Sequence, residues 1–65
     1  MNIEDEKIIV LNCMIEYGGS FVKALGQALA HADSINTKKI KETWPNLWGE
    51  YLEKSNSKSK QSKLQ

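Results

Sequence analysis

The chain has one cysteine, one histidine, one proline and no arginine in 65 residues, and only five aromatic side chains. Each scarcity excludes something. A lone Cys13 cannot form an intramolecular disulfide, and with His31 it falls far short of the four ligands of a structural zinc site. The longest unbroken apolar run, Ile8 to Leu11, is too short for a membrane span, and the residues before it are acidic where a secretory leader would be basic. Neither a membrane nor an exported protein is expected, and a reducing cytoplasm suits the single thiol. A chain this short has no room for a sizeable pocket together with the shell that would hold a catalytic site, so no enzyme, cofactor or small-molecule substrate is expected.

What is present is ordinary for a small globular domain: 40% hydrophobic and 26% charged residues with a formal net charge of +1. That near-neutrality hides a division. Residues 1–54 carry six lysines against eight carboxylates, whereas residues 55–65 add three lysines and no acid, with Leu64 as their single apolar residue. The composition predicts one helical domain over 1–54 and a disordered Lys/Ser-rich tail over 55–65.

Within the domain the hydrophobic spacing is helical throughout, which predicts an all-α fold, a compact bundle of three to four short helices at about 3–17, 20–32, 36–43 and 45–54. Asn2 is a natural N-cap, and Glu4, Asp5 and Glu6 suit the positive end of a helix dipole. Gly18-Gly19 supplies residues able to take positive φ at the end of the first helix, with Ser20 as the cap of the second. The second helix buries Phe21, Val22, Leu25, Ala28, Leu29 and Ala32 on one side, and Gly26 with its alanines leaves it slim enough for close approach by another helix. Asp33 to Asn36 reads as a connection, and Pro45 as the first residue of the last helix. Trp44, Leu47, Trp48, Tyr51 and Leu52 share one face of that helix.

The first helix carries more apolar surface than a surface helix needs. Ile8, Leu11 and Ile15 fall on one side, Val10, Met14 and Tyr17 on an adjoining one, and only Asp5, Asn12 and Glu16 form a polar strip. The apolar area so short a chain can bury and the conformational entropy it must lose are of similar size, so spare apolar surface points to association. Val10, Met14, Tyr17, Trp48 and Tyr51 are the candidate protein interface, with a homodimer or a foreign protein as partner. A core role for the two tryptophans is the competing reading.

Other constellations are weaker. Cys13 and His31 resemble a nucleophile and base but lie on different helices with no third orienting group. The acidic residues form no calcium loop, and Gly18-Gly19-Ser20 lacks the further glycines and the lysine of a phosphate loop. The alternative function is DNA binding by a helix-turn-helix across residues 33–36, with Ile35 and Ile40 as apolar anchors and Lys38, Lys39 and Lys41 on the nucleic acid. Against it stand the missing arginine, Asp33 where an apolar residue is expected, and the acidic body.

The stretch Tyr17-Gly18-Gly19-Ser20-Phe21-Val22-Lys23-Ala24-Leu25, with His31-Ala32-Asp33, Trp44-Pro45, Trp48 and Tyr51, resembles a group of short helical proteins encoded by bacteriophages and other bacterial mobile elements. No activity is assigned to that group. The resemblance covers about half of the chain and implies a fold, a bacterial host cell and action through protein contacts, with no site residues. Members often have proline after the Asp, where this chain has Ser34.

Overall fold

Local capping decides where each helix begins. In a computed structural model, which describes the backbone of residues 2–64 and the side chains of residues 2–55, α1 spans Ile3–Tyr17, α2 Ser20–Ala30, α3 Ser34–Thr43 and α4 Pro45–Leu64. No strand occurs among the described residues. The side chains of the expected tail, residues 55–65, lie outside the described residues apart from Ser55, and α4 passes the expected end at Lys54.

Asn2 caps α1 as its sequence suggests: its Oδ1 accepts from the Asp5 backbone N–H at 3.0 Å. Asp33 does the same for α3, accepting from the Asn36 N–H at 2.8 Å. Its carboxylate therefore starts that helix at Ser34, two residues before the expected start at Asn36. The second helix ends at Ala30, short of the expected Ala32, because His31 and Ala32 donate to the carbonyls of Ala28 and Leu29 in a tightened final turn. Trp44 closes α3 by donating to the Ile40 carbonyl, and Pro45 occupies the first position of α4, where its missing N–H costs nothing.

The glycine turn differs from expectation. Neither Gly18 nor Gly19 has positive φ; both are extended, and Gly19, not Ser20, is the N-cap of α2. Gly18 answers to crowding instead. A Cβ there would stand 2.5 Å from Val22 Cγ1 and 2.6 Å from the Met14 carbonyl oxygen. Gly26 has a matching role, since its Cβ would come within 2.9 Å of Met14 Cβ and 3.2 Å of the Leu11 carbonyl oxygen. The two glycines bring α2 against α1.

The core is Val10, Cys13 and Met14 of α1, Leu25 and Leu29 of α2, and Trp48 and Tyr51 of α4. Most of the apolar surface of α1 is thus covered within one chain: Met14, Leu11 and Ile15 meet α2 at Gly26, while Glu6 and Tyr17 reach α4 through Trp48 and Lys54. Ile8, expected on an interior side, is 59% exposed instead. The inward residue of α3 is Thr37, fully buried with no hydrogen-bond partner for its hydroxyl, whereas Ile35 is 66% exposed.

Two substitutions test this packing. Gly26→Ala should lower stability by about 1–3 kcal/mol despite alanine's better helix propensity, because the obstacle is the base of a side chain and a backbone carbonyl. Thr37→Val removes an unsatisfied hydroxyl at nearly constant shape and should raise stability by about 1 kcal/mol. Urea denaturation midpoints read both.

Candidate functional site

The structure encloses most of the residues expected at a protein interface. Of the five residues expected at a protein interface, Val10, Met14, Trp48 and Tyr51 are enclosed in the core and present no surface; Tyr17 alone stays exposed. The correction has a simple cause. The apolar residues of a helix need not face another chain when two neighbouring helices cover them, and α2 and α4 enclose Val10 and Met14 in this way.

Trp48 is also fixed by polar chemistry. Its indole Nε1 donates to Glu6 Oε1 at 2.9 Å, and Lys41 Nζ donates to the same oxygen at 3.0 Å while lying 5.6 Å from the centroid of the Trp48 ring. This clasp joins α1, α3 and α4. The Trp48 indole first, and Lys41 second, hold the Glu6 carboxyl below its ordinary value, and partial burial opposes them without prevailing. Lys7 makes a second tie, donating to the Ala32 carbonyl at 2.7 Å beyond the end of α2. Lys54 lies over the rings of both Tyr17 and Tyr51, at 5.9 and 5.8 Å from their centroids.

The lysines expected to touch DNA are divided by this arrangement. Lys38 and Lys39 are exposed on α3, but Lys41 is engaged with Glu6 and Trp48. Ile35 anchors nothing, and Ile40 is half-buried. Cys13 is a buried core thiol and His31 an exposed residue capping α2. No group of three or more His, Cys, Asp or Glu able to hold a metal ion occurs among the described residues, and no described helix is long and apolar enough to cross a membrane.

Apolar surface remains open in two places among the described residues: a cleft of about 260 Å³ beside α1, lined by Ile8, Ile9, Cys13 and Tyr17 with Ser55 of α4, and the face along α2 and α3. A groove of about 290 Å³ runs between them, lined by Ala28, Ala32, Asn36, Lys39, Ile40 and Trp44 among others. At its Trp44 end, Phe21, 60% exposed, packs edge-on against the Trp44 ring with centroids 6.1 Å apart and planes at 66°. The groove exists because Ala28 of α2 and Ala32 just beyond it face it, leaving width where larger side chains would fill the gap. The spacing of Phe21, Ala28 and Ala32 was legible in the sequence, but it reads as a core face because helical periodicity cannot tell which neighbour is absent.

Comparison with protein-family models, with curated proteins and with solved structures gives no match for this chain. Function must therefore be argued from the surface itself.

The Glu6 clasp makes a prediction of its own. Glu6→Gln retains an acceptor for Trp48 and should cost no more than about 1 kcal/mol, whereas Glu6→Ala strands the indole N–H and should cost about 1–3 kcal/mol. Because the folded carboxyl titrates below its ordinary 4.5, its contribution is present above about that pH and is lost as pH falls through the lower folded value. Urea titrations across the acid range should show a shallower loss of stability in Glu6→Gln than in the parent.

Proposed function

We propose that this protein is a non-catalytic helical module that acts by protein–protein contact in a bacterial host cell, as the resemblance to phage-encoded proteins implies. The observation that carries the reading is the exposed pair Phe21 and Trp44 at the end of the α2–α3 groove. Large aromatic side chains left in water cost free energy in the isolated chain and are the residue types that dominate interface energetics. Small domains seldom leave a ring pair beside an apolar groove without a use for it. The interface residues are then Phe21 and Trp44 with the groove behind them, in place of the buried set expected from the sequence. On this reading association with a foreign protein and self-contact draw on the same face.

The test compares the parent with Phe21→Ser/Trp44→Ser. Since Phe21 is mostly exposed and Trp44 more than a third exposed, the double variant should keep its helical circular dichroism while losing both self-association and partners captured from nuclease-treated bacterial lysate. Retained capture would show that the groove is not the working face. Salt-sensitive binding to duplex DNA, abolished by Lys38→Ala/Lys39→Ala, would favour a nucleic-acid regulator instead.

A further inference from the structure

We propose that the α2–α3 groove receives the outer face of α1 from a second copy of this chain, an inference that rests on the groove being a docking face. The groove has apolar walls from Ala28, Ala32, Ile40 and Trp44, and its charged lining residue is a cation, Lys39, with Lys38 exposed beside it on α3. Glu42 is also exposed on α3 but does not line the groove. An occupant should therefore offer a bulky aliphatic side chain with carboxylates close by.

The chain itself carries such a surface. On α1, the side turned away from the core presents Ile8, a branched side chain 59% exposed, with Glu4 and Asp5 exposed one helical turn before it and Asn12 one turn after it. No lysine of α1 shares that face: its single lysine, Lys7, is directed at the Ala32 carbonyl. An aliphatic knob in an acidic field thus stands on one surface of the molecule, and an apolar groove with a cation stands on another. Ile8 does not line that groove, so within one chain the knob leaves it unfilled. Matching opposite charges around an apolar contact set register and partner choice. When knob and groove are distinct patches, a two-fold axis makes the contact twice and closes a dimer, whereas other operators propagate it into rings or filaments.

Sedimentation equilibrium of the full chain over a concentration series, at low and at physiological salt, tests the contact. The parent should self-associate, more weakly as salt rises. Lys39→Glu should weaken association by about tenfold or more, and adding Glu4→Lys/Asp5→Lys to that variant should restore it. Ile8→Ser should abolish association while leaving the circular dichroism of the monomer unchanged, since Ile8 lies outside the core. A parent that stays monomeric at millimolar concentration, or an association indifferent to Lys39→Glu and not rescued by the charge exchange, overturns the proposal. The docking reading fails separately: a monomer that still captures a protein through Phe21 and Trp44 refutes only the self-contact, whereas capture unaffected by Phe21→Ser/Trp44→Ser refutes the groove itself.

Discussion

The approach of α2 to α1 at Gly26 is the constraint from which the rest of this small bundle follows. With hydrogen in place of a side chain, Gly26 lets the Met14 side chain come closer than a Cβ would tolerate and the Leu11 backbone carbonyl come closer than most Cβ atoms allow. Gly18 allows the same closeness where the chain reverses, between Met14 and Val22. Together they set α2 against one apolar side of α1, and the other side is left for α4. A glycine inside a helix costs about 1 kcal/mol in propensity, and here it is offset by packing that a larger residue would prevent.

With α2 set against α1, the placement of α4 turns on polar detail as well as packing. Trp48 brings to the core an indole N–H that must find an acceptor, and the first turn of α1 provides one in Glu6. Lys41 of α3 joins the same carboxylate oxygen, so a single group ties three helices. A surface ion pair on its own contributes little to stability. This one matters because it shares its acceptor with a buried aromatic residue, and the geometry of the core depends on that residue's orientation. Thr37 is the counterexample on α3, a hydroxyl enclosed with no such arrangement.

The same packing accounts for the open surface. α2 places Leu25 and Leu29 in the core and turns Ala28 toward α3, with Ala32 just beyond its end on the same side. Between alanine and Ile40 a groove remains, and Phe21 and Trp44, with no interior left to enter, pack on each other at its end. The proposed docking face is thus a by-product of how the core closes. What remains outside is the apolar surface for which the bundle has no further helix.

Helix number, type and most boundaries were legible from residue spacing and caps: Asn2 starts the first helix, Pro45 the last, and the first helix ends at Tyr17, as periodicity and turn chemistry require. Those are local interactions, settled within a few residues of the chain. The sequence also determined that α1 is too apolar for a surface helix and that Gly26 permits close approach. Only tertiary structure decided what covers α1. Val10, Met14, Trp48 and Tyr51 look identical on a helical wheel whether they meet another helix of the same chain or another molecule, because periodicity records that a face is apolar and not what lies opposite. For the same reason Ile8 and Phe21 could not be told from core residues, and Glu6, placed for the helix dipole, could not be seen to serve Trp48 forty-two residues away.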